Sequence, residues 1–204
     1  MTRILILFAH PALDKSRIHR RLIHAVPELP GITLHDLYAA YPNFAIDVAR
    51  EQELLLAHDL IIFQHPFYWY STPAIIKQWE DLVLEHGWAY GSQGTALRGK
   101  RLLSLISTGG PAGTYRRDGY NRFTVRDLLA PIDQTAHLCG MEYLPPYLIQ
   151  GTHSLTDADI DLEVGRYRQL LALLHEDRID LAAAREQPSL NLALDRALGQ
   201  QAPE

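Results

Sequence analysis

The chain has 204 residues, 47% hydrophobic and 21% charged, the balance of a folded globular chain and not of a disordered one. Nineteen basic and 24 acidic side chains leave a net charge of −5, which gives no general attraction to nucleic acid or to an anionic membrane. A single cysteine, Cys139, excludes an intrachain disulfide and a cysteine-rich metal site and fits a reducing compartment.

Residues 3–8 are a continuous apolar run, as in a strand buried on both faces of a parallel sheet. The run is too short for a secretory core, and His10-Pro11 interrupts it. No later stretch approaches the ~20 apolar residues of a membrane helix, so a cytoplasmic chain is expected. Ser16 reads as the N-cap of a helix with Ile18, Leu22, Ile23 and Val26 on one stripe, stopped by Pro27, Pro30 and Gly31. Residues 32–37 read as the second strand and 50–58 as a short helix. The third strand spans 59–64, and the next helix runs from Pro73 to about Leu84. Residues 87–99 are a loop, 100–107 the fourth strand, 125–138 a helix, and 141–150 a fifth strand bent by Pro145-Pro146. Thr156 caps a further helix with Asp157 and Asp159 near its positive end.

Strands alternating with helices imply an α/β fold with a doubly wound five-stranded parallel sheet, helices on both faces, in the flavodoxin-like order 2-1-3-4-5. Residues 1–175 form the expected domain. Residues 176–204 form a C-terminal extension of no assigned role, punctuated by Leu190, Leu192, Leu194 and Leu198; the pattern leaves open whether it packs, binds a partner or frays.

In such sheets ligands bind beyond the carboxyl ends of the strands, where the order reverses. Three segments fall there. After the first strand, His10 and the run Lys15, Ser16, Arg17, Ile18 and His19 lead into a helix N-terminus, a place for an anion such as phosphate, although neither a Walker loop nor GxGxxG is present. After the third strand, Pro66, Phe67, Tyr68, Trp69 and Tyr70 offer a flat wall; aromatic content alone slightly favours rings packed under the next helix or at a dimer contact. After the fourth, Ser107, Thr108, Gly109 and Gly110 allow close backbone approach and donors to a ring edge. An anion pocket, an aromatic wall and a glycine cradle together match the phosphate, ring and ring carbonyls of a flavin mononucleotide. Seven other histidines (His24, His35, His58, His86, His137, His153 and His175) are scattered without metal-ligand spacing, and no metal is expected.

His-Pro after the first strand, Gln64-His-Pro-x-x-Trp-Tyr-Ser-x-Pro73 and Thr108-Gly-Gly110 resemble the flavodoxin-like NAD(P)H:quinone oxidoreductases. Tyr41-Pro-Asn-Phe-Ala-Ile-Asp47, Gly87-Trp-Ala-Tyr-Gly91 and Gly94-Thr-Ala-Leu-x-Gly-Lys100 are most similar to the ancillary flavoproteins of glutathione-regulated potassium-efflux systems. The resemblance implies hydride transfer from NADPH or NADH through a bound flavin, FMN with FAD as the alternative, to a quinone. It implies phosphate against His10 and residues 16–19, the ring against residues 67–70 and 107–110, and Tyr115 as the tyrosine that assists the transfer. It further implies a homodimer and a potassium-efflux membrane protein as partner, through which the chain would sit at the inner membrane. The alternatives are a non-enzymatic flavin-binding regulatory subunit of such a transporter, or a flavodoxin-like electron carrier, whose Ser/Thr-rich phosphate loop is missing here. Two positions depart from the pattern. Asn121 stands where some quinone reductases have histidine, and His19 where the ancillary group commonly has asparagine.

Overall fold

The apolar runs pair into one parallel sheet. The computed structural model describes residues 1–26 and 31–199. Strands β1 (Ile4–Phe8), β2 (Ile32–Asp36), β3 (Leu60–Pro66) and β4 (Arg101–Ser107) are joined by a last strand in two pieces, β5 (Glu142–Tyr143) and β6 (Tyr147–Ile149). The order is β2-β1-β3-β4-β5, with β6 also on β4, as the alternation predicts. Pro145 and Pro146 lie between the two pieces; proline supplies no N–H to a ladder, so pairing lapses there.

The central strands carry apolar residues on both faces because both faces are covered. Ile4, Ile6, Phe8, Leu60 and Ile62 meet one helical layer, built on α1 (Arg17–His24) and α7 (Asp157–His175). Leu5, Leu7, Ile61 and Phe63 meet the other. That layer holds α3 (Val48–Ala57), α4 (Ala74–Val83) and α6 (Ala130–Leu138), with the short helices α2 (Leu37–Ala40) and α5 (Val125–Leu128) at its margins.

Several boundaries move for local reasons. The second strand stops at Asp36, whose carboxylate accepts the Tyr38 and Ala39 N–H groups and starts α2. Asp47 caps α3 from Val48, two residues before the expected start. The expected single helix over 125–138 is two: Pro131 sits in the first turn of α6, and its missing N–H breaks the ladder from α5. Thr156 and Asp159 form a reciprocal capping box on α7. Of the stop signals after α1, Pro27 and Pro30 lie outside the described residues; Gly31, at φ +96°, turns the chain into β2.

Beyond α7 come α8 (Leu181–Ala184) and α9 (Asn191–Ala197). Leu190 and Leu194 are fully buried in the first core, so this part of the extension packs. Asn191 bonds both backbone groups of Leu148 at 2.9 Å and so serves as a partner to the sheet edge. Arg166 and Asp195 join α7 to α9 at 2.6 Å. Residues 200–204 of the extension lie outside the described residues.

Candidate functional site

A cleft of about 590 Å³ opens at the carboxyl ends of β1, β3 and β4, where the strand order reverses. Its size is that of a small-molecule site, roughly 300–1,000 Å³. His10, Ala12, Lys15, Ser16, Arg17, Ile18 and His19 form the first wall. Ser16 Oγ accepts the His19 N–H at 3.0 Å, and the N–H groups before it have no intrahelical partner, so they and the helix dipole face the cleft. Arg17 donates to the Leu155 carbonyl and to Asp157, which fixes its guanidinium at the rim.

His10 and His19 form the floor, and His65 is buried outside the lining. His10 Nδ1 accepts the Ala12 N–H at 3.1 Å, which places the proton of the neutral ring on Nε2 as a donor. His19 is buried, lies 5.4 Å from the His10 ring and bonds Ser107 Oγ through Nε2 at 2.8 Å; its Nδ1 has no partner among the described residues. Burial lowers the pKa of His10, with Asp14 and Asp36 opposing. Burial, then repulsion from His10 and His65, holds His19 well below the usual histidine value. Burial brings His65, whose Nδ1 contacts the Pro66 carbonyl, down to about 4. The floor is therefore uncharged at neutral pH, and hydrogen-bond donors, the helix dipole and Lys15 supply its attraction for an anion.

Pro66 to Tyr70 form the second wall. Phe67 N–H donates to the Ser107 carbonyl at 2.8 Å, and Ser71 N–H returns to the Tyr68 carbonyl at 3.0 Å. Between them Trp69 and Tyr70 stand at φ +51° and +62°, the signature of a type I′ turn. Left-handed backbone costs a non-glycine residue roughly 1–2 kcal/mol. Trp69 is 92% exposed, so no packing repays the strain, and the rings of residues 68–70 do not pack as core. Strain of this kind collects at functional sites. Trp69→Asn is accordingly expected to stabilise the protein by about 1 kcal/mol while weakening retention of a planar ligand. Chemical unfolding and the ligand content of the purified variant check the two halves; a variant less stable than the parent would refute the strain.

Ser107, Gly109 and Tyr115 make the third wall. A Cβ on Gly109 would run into the imidazole of His153, an exposed side chain, so the wall lies close against His153 at this point. Thr108 and Gly110 are not on the surface of the cleft. Thr108 is buried and its hydroxyl donates to the Gly110 carbonyl at 2.7 Å, which braces the loop from behind. Tyr115 packs against Phe67 with ring centroids 6.2 Å apart; burial raises the pKa of its phenol, and a hydrogen bond with Thr108 opposes the rise. Asn121 accepts from Tyr70 OH at 3.2 Å and donates to Thr114, so it ties the second wall to the third.

Thr152 and His153 complete the lining and were not among the expected residues. They follow β6, the last strand, and the rule that singled out the loops after the first, third and fourth strands applies equally to this one. Among the described residues no group of three or more His, Cys, Asp or Glu side chains is placed to hold a metal ion.

The cleft fits a phosphate monoester at the start of α1 and a flat ring between residues 67–70 and 107–109. The buried His19 Nδ1, with no partner among the described residues, is the feature that an empty βα loop would not need.

Comparison with known proteins gives the following. The sequence model of the flavodoxin-like fold family matches residues 2–171. The chain is 48% identical over 147 residues to the glutathione-regulated potassium-efflux system ancillary protein KefG of Serratia proteamaculans, across 72% of this chain and 80% of that one. It is 39% identical to the general stress protein 14 of Treponema denticola, solved in complex with FMN, with a TM-score of 0.80 over 84% of this chain and 99% of that one. It is 32% identical to an NADPH-quinone reductase of P. pentosaceus, with a TM-score of 0.74 over 82% and 96% of the two chains.

Proposed function

The chain belongs to the flavodoxin-like fold family, and on that premise we propose that it is an FMN-dependent NAD(P)H oxidoreductase whose acceptor is a quinone. The observation that carries the reading is one cleft in which a helix N-terminus, a strained aromatic turn and a glycine wall converge. The relatives solved with FMN and described as an NADPH-quinone reductase support it.

FMN, when bound, would supply the two-electron hydride chemistry between the nicotinamide and the acceptor. The chain's own residues do the rest. His10 Nε2–H, Lys15 and the N–H groups at the start of α1 hold the phosphate, with Ser16, Arg17, Ile18 and His19 shaping its pocket. Phe67, Tyr68, Trp69 and Tyr70 bear on one side of the ring. Ser107 and Gly109 would bear on its other edge, with Thr108 and Gly110 behind them, and backbone donors there would favour negative charge at that edge. Tyr115, like any tyrosine, keeps its proton at neutral pH, burial pushes its pKa further up, and it offers an O–H donor to the oxygen of the acceptor. Stacking the substrate within about 3–3.5 Å of the ring suffices for transfer, with no covalent nucleophile.

The test is a visible spectrum of the purified protein, followed by NADPH without oxygen. A flavin spectrum that bleaches, and recovers when a quinone is added, is the expected result, and mass spectrometry of the released flavin separates FMN from FAD. A protein that neither retains nor binds flavin on addition would overturn the reading.

A regulatory role beside the enzymatic one is supported by the identity with the ancillary protein. Among the described residues no helix is long and apolar enough to cross a membrane, so attachment would run through a potassium-efflux partner. Copurification with such a protein tests it. A homodimer that shelters the exposed aromatic rim of the cleft completes the proposal.

A further inference from the structure

The segment from Arg116 to Arg126 carries four arginines, Arg116, Arg117, Arg122 and Arg126, against one aspartate, in a chain of net charge −5. It folds back on itself. Asn121 N–H donates to the Thr114 carbonyl at 3.0 Å, and a Cβ on Gly119 would lie 2.8 Å from the Gly113 carbonyl oxygen. The fold-back keeps the segment at the mouth of the cleft, because Tyr115 lines it and Tyr70, which also lines it, holds Asn121.

Three of the arginines are engaged. Arg116 pairs with Asp118 at 2.7 Å and Arg117 with Asp127 at 3.1 Å, while Arg126 donates to the carbonyls of Arg185 and Gln187. Arg122 is exposed and makes no side-chain hydrogen bond or ion pair among the described residues. Its backbone stands at φ +61°, a conformation that side chains other than glycine and asparagine seldom adopt. Tyr120 and Phe123, its near neighbours in sequence, are 88% and 48% exposed.

A dinucleotide whose nicotinamide lies in the cleft carries its adenosine half outside it. NADPH differs from NADH there by a 2′-phosphate, which a planar guanidinium fork grips in two places; a site for NADH presents a carboxylate to the ribose hydroxyls instead. The one carboxylate in this segment, Asp118, is taken by Arg116. Exposed rings beside a guanidinium also suit a stacked adenine.

We propose that Arg122 binds the 2′-phosphate of NADPH and makes the protein selective for NADPH over NADH. This rests on the reading that a nicotinamide dinucleotide reduces the site.

The test is calorimetry on the FMN-saturated protein with two probes that differ only in that phosphate, adenosine 2′,5′-bisphosphate and 5′-AMP. The bisphosphate is expected to bind at least about tenfold more tightly, the range of one charge-assisted contact, and Arg122→Gln to bring the two within about twofold. With substrates, the same variant should lower kcat/KM for NADPH about tenfold through KM and leave NADH unchanged. Equal binding of the probes by the parent, or a preference that survives Arg122→Gln, would overturn the assignment and leave the oxidoreductase reading intact. A preference that depends on Arg122, in a protein whose flavin NADPH does not bleach, would support the phosphate subsite and sink the oxidoreductase reading.

Discussion

Replacing Glu51 with leucine is expected to cost about 3–5 kcal/mol of folding stability, the range for removing one partner of a buried charged network. Glu51 is fully buried on α3. One carboxylate oxygen accepts from Tyr41 OH at 2.6 Å and faces His35 Nε2 at 2.8 Å; the other accepts from Trp79 Nε1–H at 2.8 Å. Leucine restores none of these bonds, so three buried polar groups from β2, the loop after α2, and α4 lose their partner at once. Glu51→Gln keeps the shape but turns an amide donor toward groups that are themselves donors, and an intermediate loss of about 1–3 kcal/mol is expected. Chemical unfolding at pH 7.5 reads both; a loss below about 1 kcal/mol for the leucine variant would mean the network is not stabilising. Burial pushes the Glu51 carboxyl up, but the three partners together outweigh it and hold it below its ordinary value. A depressed carboxyl stabilises the fold above its unfolded-state pKa, and that contribution is lost as pH falls through the folded-state value. The network also has a bearing on the cleft: Trp79 fixes α4, the helix that begins four residues after Tyr70 of the aromatic turn.

The same residues show what a sequence can and cannot disclose. The strands were legible because burial on both faces leaves a continuous apolar run, and 4–8 and 60–66 carry one. Glu51 has no such signature: in the sequence it is one of several acids on a short helix, and only the arrival of His35, Tyr41 and Trp79 from three other places makes it structural. Likewise Asn191 and Leu194 reveal their purpose only against β6 and the first core. At the cleft, the loops after the first, third and fourth strands were legible from topology and residue type. The strained turn at Trp69-Tyr70 was not, because those positions normally call for glycine or asparagine and the sequence offers neither. In the sequence His153 is one of several scattered histidines, since its approach to Gly109 joins residues 44 positions apart and no spacing rule reaches that far.

Acidification from pH 7.5 to 5 is expected to weaken the fold well above the carboxylate range, and His65 should account for about 2 kcal/mol of the loss. Its ring is fully buried at the end of β3, one nitrogen bonded to the Pro66 carbonyl and the other without a partner among the described residues, and burial brings its pKa down to about 4. An unfolded histidine titrates near 6.5, so between about 6.5 and 4 the unfolded chain binds a proton that the folded chain refuses. Stability therefore rises with pH across that window; the contribution is complete above it and is lost on the way down. His19 adds to the effect with the same sign, since burial and its two histidine neighbours hold it well below the usual value. His65→Gln retains a polar side chain for the Pro66 carbonyl and has no proton to gain, so the difference in unfolding free energy between pH 7.5 and pH 5 should shrink by about 2 kcal/mol relative to the parent. An unchanged difference would show that His65 takes up its proton without unfolding the protein. A floor of neutral histidines beneath the proposed phosphate pocket is thus a stability cost at acid pH, and the expected compensation is a site that holds a dianion through N–H donors and a helix dipole at neutral pH, where the floor carries no charge of its own.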